Sequence, residues 1–180
     1  LQIFERRYID LVARSMKDDS GFGITLLKSG EEVMQPGKTQ ELYATGTLAR
    51  IIDWDQLDNG LLGITVEGVN KFHIEEYWLA ENGLTMGKVR FSEVDSIEDG
   101  KIPVFDQLAG LTDLLQLLER HPAVQEIDLQ IDYQNLWDLG WRLSELIPVA
   151  LPIKQELLEL DDPWERIRLL EQSISVLIDS

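Results

Sequence analysis

Residues 151–170, LPIKQELLELDDPWERIRLL, predict two helices joined by a short acidic turn. Asp162 is suited to cap the second helix because its side chain can accept bonds from backbone N–H groups, and Pro163 suits the first helical position. Glu165 follows the cap by three residues, as in a capping box. The second helix is therefore expected to begin at about Pro163, and the first at Pro152.

The spacing of leucine and isoleucine extends this helical pattern over the C-terminal part of the chain. After Phe105, apolar residues recur every three or four positions, which is the period of an amphipathic helix. The repeats fall at Leu108, Leu111, Leu115 and Leu118, at Leu136, Leu139, Leu143 and Leu146, and at Ile167, Leu170, Ile174, Leu177 and Ile178. Residues 103–180 are therefore predicted to form a helical bundle of about four helices.

Residues 1–102 predict a subdomain of β structure that starts with a short amphipathic helix, IFERRYIDLVARSM. A strand is expected from Phe22, and two hairpins are expected at Asn59-Gly60 and Asn82-Gly83, because both residue types tolerate positive φ. At least five short strands in this span favour a barrel-like sheet, which leaves few open edges. The predicted class is α+β.

The charge balance disfavours nucleic acids as partners. The 180-residue chain has 16 Lys+Arg against 33 Asp+Glu, a net charge of −17. Proteins bind phosphate backbones mainly through cations, so DNA is not expected as a partner and RNA is disfavoured, as is an anionic membrane. One cationic cluster stands against this trend, Arg6, Arg7 and Arg14 on the first helix, and its alternative interpretation is a solvated helix face.

No catalytic, cofactor or metal motif is found. The chain has no cysteine, which excludes thiolate metal sites and is typical of a cytoplasmic location, and its two histidines lack partners at ligand spacing. No phosphate-binding glycine loop occurs, and adjacent acidic residues such as Asp161 and Asp162 are interpreted as turns and caps. The sequence therefore predicts a protein without enzymatic activity or cofactor. A hydrolase would require a deep pocket with paired polar groups.

The five tryptophans are the candidates for recognition, because exposed aromatic residues dominate binding surfaces. Trp54 lies near a hairpin tip between two aspartates. Trp137 and Trp141 are four residues apart on one helix and offset from its leucine stripe, so they either pack on the β part or form an exposed patch. We therefore name Trp54, Trp137 and Trp141 as candidate polypeptide contacts. Trp78 is expected in the core because it shares a strand face with Phe72 and Ile74, and Trp164 is expected to pack on the preceding helix.

Four segments, in order along the chain, resemble the N-terminal domain of the Lon protease family. LQIFERRYIDLVARSM resembles that domain's first helix motif, and GTLARI, residues 46–51, is similar to its Gly-Thr strand. GITVEGVNKFHI has Gly68, Lys71 and Phe72 at the positions of a second strand signature, and KQELLELDDPWERIRLL resembles the family's segment before an Asp-capped helix. The resemblance covers nearly the whole chain.

The resemblance implies a PUA-like β pseudo-barrel followed by a C-terminal helical bundle. It implies a non-enzymatic module that binds proteins or peptides, such as the unfolded or tagged substrates that this domain helps to recognise, in a stand-alone form without ATPase and Ser-Lys peptidase modules. The family's first strand has no counterpart, so Leu1 is expected to lie partway into the domain. A small-molecule or RNA-binding PUA-like protein is the alternative.

Overall fold

The computed structural model describes residues 1–29, 40–93, 101–127 and 129–178. The chain divides into two compact units, Leu1–Asp95 and Ser96–Ser180. The first holds an antiparallel sheet and one helix, and the second is helical, so the predicted α+β class is confirmed. The predicted boundary between residues 102 and 103 stays a prediction.

The described residues of the first unit form five strands and a helix. These are β1 (Gln2–Ile3), α1 (Arg6–Asp18), β2 (Phe22–Ser29), β3 (Glu41–Gln56), β4 (Leu62–Leu79) and β5 (Thr85–Phe91). The strand order is β1-β4-β3-β2, with β5 also pairing with β4. Both expected hairpins form, and Gly60 and Gly83 take the positive φ values of 80° and 78° that their turns require.

Strand β4 continues through Gly68 without a break. The segments before and after Gly68 form one strand of 18 residues. Asn70 pairs with Leu48 and Gly68 pairs with Ala49, so Val69 is an extra residue in the ladder. A bulge of this kind bends a strand without ending it. Gly68 therefore marks a bend within one strand.

Helix α1 is held by a buried arginine. The guanidinium of Arg7 donates to the carbonyl oxygen of Gly83 at 2.8 Å and to Glu5 at 2.8 Å, and its Cζ lies 4.5 Å from the ring centroid of Tyr8. Arg6 pairs with Asp10 at 3.1 Å. The interpretation of these arginines as one solvated, cationic helix face was therefore wrong for Arg7. The helix also begins later than expected, because residues 2 and 3 form strand β1.

The second unit is a set of helices around a leucine core. A 3₁₀ turn, Asp106–Leu108, precedes α2 (Ala109–Glu119), and a single turn, α3 (Pro122–Gln125), follows it. The remaining helices are α4 (Leu136–Leu146), α5 (Leu151–Glu159) and α6 (Pro163–Ile178). The buried core consists of Leu108, Leu111, Leu115, Leu136, Leu139, Leu143, Ile147, Leu157, Ile167 and Leu170. The predicted stripes are confirmed apart from the end of α6, where Leu177 and Ile178 are exposed.

The predicted cap of α6 is also present. Oδ1 of Asp162 accepts hydrogen bonds from the backbone N–H groups of Trp164 at 2.7 Å and Glu165 at 3.2 Å. Asn135 caps α4 in the same way, accepting from the N–H of Trp137 at 3.2 Å. Both caps satisfy donors that a helix leaves without an internal partner, which fixes where these helices begin.

A tyrosine joins the end of α2 to the segment before α4. The hydroxyl of Tyr133 donates to Oε2 of Glu119 at 2.6 Å. Burial, followed by this bond and the charge of Glu119, raises the pKa of Tyr133 to about 12. In the unfolded chain the hydroxyl would lose its proton near the ordinary tyrosine pKa of about 10.

We expect the free energy of unfolding to fall as the pH rises from about 10 to about 12, because over this interval the folded state retains the Tyr133 proton and the unfolded state does not. Tyr133→Phe should remove this contribution, together with the late step near pH 12 in the tyrosinate absorbance of the folded protein. Tyr43→Phe is the matched control and should leave that late step in place. An unchanged late step in Tyr133→Phe would contradict the assignment.

Candidate functional site

Trp54 is the exposed member of the three predicted contact residues. It lies near the end of β3 directly opposite Ile64 of β4, and 57% of its surface is exposed whereas Ile64 is buried. Leu1 lies on the other side of Ile64, since its amino group donates to the Ile64 carbonyl at 2.7 Å and its carbonyl accepts from the Ile64 N–H at 2.9 Å. Leu1, Ile64 and Trp54 therefore form an apolar row across three strands, exposed at both ends.

A shallow pocket of about 280 Å³ lies at this row. Its walls include Asp53, Trp54, Asp55 and Leu57. Within the described ranges, no group of three or more His, Cys, Asp or Glu side chains could hold a metal ion. The pocket therefore offers an indole, aliphatic carbons and two aspartates.

Trp78 was predicted to be buried, and this was wrong. Half of its surface, 51%, is exposed, and its cross-strand partner Met86 is exposed as well. The cause is a register shift in which Glu75 is the extra residue, since Ile74 pairs with Val89 and Glu76 pairs with Lys88. One extra residue moves every later side chain to the other face of a strand. The regular alternation of side chains, applied from buried Phe72 onward, therefore assigned Trp78 to the wrong face of the strand.

The other face of the β4–β5 hairpin is apolar as well. Tyr77 and Leu79 alternate with Trp78 along β4, and each is about half exposed. In the described part of the chain, the ladder between β3 and β4 ends at the pair of Thr45 and His73, so the end of β4 pairs with β5 alone. The β3–β4 and β4–β5 hairpins thus each expose a tryptophan.

Trp137 and Trp141 have a different environment from Trp54. Both are half-buried on α4, and both rings contact the guanidinium of Arg166, whose Cζ lies 3.5 Å from the centroid of Trp141 and 5.5 Å from that of Trp137. A Cβ on Gly140 would lie 3.3 Å from Cδ of Arg166, so this glycine leaves room for the arginine between the indoles. These two rings therefore already contribute to packing within the second unit.

Arg166 itself was missed by the sequence analysis. It is fully buried on α6, and its guanidinium donates to the carbonyl oxygen of Leu157 at 3.1 Å and to that of Leu160. A sequence signal exists, because Arg166 lies three residues after Pro163 and one before Ile167, on the buried stripe of the helix. Trp164, in the same first turn, stacks on Phe105 with ring centroids 5.9 Å apart and packs against the core.

Comparison with known proteins identifies the family. The family model described as the ATP-dependent protease La (LON) substrate-binding domain matches residues 1–175. The chain belongs to this family. The resemblance found in the sequence is thereby confirmed, and the match includes both units.

The relatives of this Lon domain are much longer proteins. A Lon protease of Brevibacillus choshinensis is 26% identical over 178 residues, which are 94% of this chain and 22% of that protein. A Lon protease of Bacillus thuringiensis is 29% identical over 149 residues, which are 79% of this chain and 18% of that protein. The chain thus spans about a fifth of the length of these curated relatives.

A solved structure supports the same fold. The crystal structure of a Lon N-terminal domain protein from Xanthomonas campestris is 29% identical, with a TM-score of 0.70, over 96% of this chain and 86% of that one. Among the described residues of the present Lon domain, no helix has the length and apolar character needed to cross a membrane.

We expect Arg166→Met to lower the free energy of unfolding of the second unit by about 3 kcal/mol, because it leaves the carbonyl oxygens of Leu157 and Leu160 without this donor and removes the cation from the indoles. Denaturant unfolding, followed by tryptophan fluorescence, measures the change. Arg168→Ala is the matched control, because Arg168 is exposed on the same helix and pairs with Glu165 at 3.8 Å. Equal effects of the two substitutions would contradict a structural role for the buried guanidinium.

Proposed function

We propose that the chain is a non-enzymatic module that binds polypeptide segments with exposed apolar side chains, such as those of unfolded or tagged proteins. The observation that carries the proposal is the exposure of a tryptophan on each hairpin of the first unit, 57% for Trp54 and 51% for Trp78. The description of its family, a substrate-binding domain of a protease, supports a polypeptide as the ligand.

The chemistry of the two surfaces suits such a ligand. Burying the exposed half of one indole, roughly 100 Å², contributes about 2.5 kcal/mol before the entropy of association is counted. Each surface alone would therefore bind weakly. Folded proteins keep most large apolar side chains inside, whereas unfolded segments present them, so even weak contacts of this kind distinguish the two states.

The alternatives receive less support from the same residues. An RNA-binding role would have used the cluster of Arg6, Arg7 and Arg14, but Arg7 is buried against Gly83 and Arg6 is paired with Asp10. A small-molecule role would use the pocket beside Trp54, whose volume of about 280 Å³ is at the lower end of typical ligand pockets. We therefore favour a polypeptide partner, with no catalytic step.

We expect a labelled, permanently unfolded polypeptide to bind this protein saturably in a fluorescence anisotropy titration. A folded counterpart of that polypeptide and a labelled RNA oligomer should not bind. Absence of binding up to high micromolar protein would overturn the proposal.

Trp54→Ala and Trp78→Ala should each weaken this binding by up to about 60-fold, since each removes an apolar contact of about 2.5 kcal/mol. Leu117→Ala is the control, because Leu117 is 65% exposed on α2 in the second unit. Loss of affinity in all three variants would indicate nonspecific apolar adsorption and argue against the two hairpins. Circular dichroism of each variant verifies that it is folded.

A further inference from the structure

The end of β3, residues 52–56, presents an edge whose backbone groups can be assigned. Both backbone groups of Ile64 bond with Leu1, so they point away from β3. Trp54, which is paired with Ile64, therefore belongs to a pair without mutual hydrogen bonds, and its N–H points toward the opposite edge of β3. The pairing of β2 with β3 begins at Ala49, so among the described residues no strand covers this edge beyond it.

Two aspartate side chains accept hydrogen bonds from backbone N–H groups of this edge. The N–H of Trp54 donates to Oδ1 of Asp53 at 2.9 Å, and the N–H of Gln56 donates to Oδ1 of Asp55 at 2.7 Å. An added strand would need these donors for its own carbonyl oxygens, so the carboxylates oppose strand addition. Both aspartates are exposed, and each has a second carboxylate oxygen with which to accept bonds from a ligand.

The charge around the two exposed tryptophans differs. Residues 51–70, which include Trp54, contain four acidic residues and no Lys or Arg. Arg50 lies directly opposite one of the four, Glu67, so residues 50–70 have a net charge of −3. Residues 71–91, which include Trp78, contain three Lys or Arg and three Glu and have no net charge. The two hairpins thus offer similar aromatic surface in different electrostatic fields.

We propose that the β3 edge selects polypeptide segments in which a lysine or arginine lies next to a large apolar residue. The indole of Trp54 contacts the apolar side chain, and the carboxylates of Asp53 and Asp55 bind the cation. Because those carboxylates also occupy the edge donors, the segment is held through its side chains and not as an added strand. This inference rests on the proposed function and specifies its substrate class.

Three labelled unfolded peptides test the selection. Each peptide contains a phenylalanine, and the peptides differ only in the residue beside it, which is Lys in the first, Gln in the second and Glu in the third. The protein should bind the Lys peptide about threefold to tenfold more tightly than the Gln peptide and the Glu peptide most weakly, and added salt should reduce the difference. Trp54→Ala should weaken the binding of all three peptides.

The decisive variant is Asp53→Asn combined with Asp55→Asn. Asparagine keeps an Oδ1 that can accept from the Trp54 and Gln56 N–H groups, so the edge geometry is retained while the charge is removed. This variant should bind the Lys and Gln peptides equally. The matched control is Glu75→Gln combined with Glu76→Gln on the other hairpin, which should retain the preference for Lys.

The outcomes separate this inference from the proposed function. Equal affinity of the unmodified protein for the Lys and Gln peptides would overturn the selection and leave polypeptide binding standing. A preference for Lys that persists in the double asparagine variant would overturn its assignment to Asp53 and Asp55. Failure of all three peptides to bind would overturn the proposed function together with the inference.

Discussion

The second unit depends on the burial of one guanidinium. Removing a cation from water costs several kcal/mol, so its site must supply compensating contacts. Arg166 obtains them from its neighbours, namely the carbonyl oxygens of Leu157 and Leu160 and the rings of Trp137 and Trp141. One residue on α6 thereby fixes both the end of α5 and one face of α4. Gly140 is part of the same arrangement, because a larger residue would crowd the arginine.

This arrangement gives some of the tryptophans a structural role instead of a role in recognition. Five tryptophans in a chain of this size suggest a recognition surface, but the structure places them in two groups. Trp137, Trp141 and Trp164 contribute to packing in the helical unit. Trp54 and Trp78 lie at the ends of long strands and are exposed. The proposed binding surfaces are therefore on the sheet, where the backbone ladder supports side chains that the core does not use.

Local and periodic features could be predicted from the sequence. The Asp162 cap, the leucine stripes and the two Asn-Gly turns each depend on residues within a few positions of one another, and each is present. The family could also be inferred, because its motifs are spread over the whole chain. Features that depend on an irregularity could not be predicted. A bulge has no sequence period, so the extra residue at Glu75, which places Trp78 on the opposite face from Ile74, left no signal. Arginine is usually a surface residue, so residue type does not indicate that Arg7 and Arg166 are buried. Only their positions on their helices distinguish them from exposed arginines.

The contact between Arg7 and Gly83 joins residues 76 positions apart, and this distance has a consequence for synthesis on the ribosome. Helix α1 is made first, yet the carbonyl oxygen that binds its buried arginine does not exist until the β4–β5 turn has been translated. At roughly 5–20 residues per second, this delay is about 4–15 s. During it, the nascent helix has no docking partner at that turn, so the first unit completes its fold only after its last hairpin emerges.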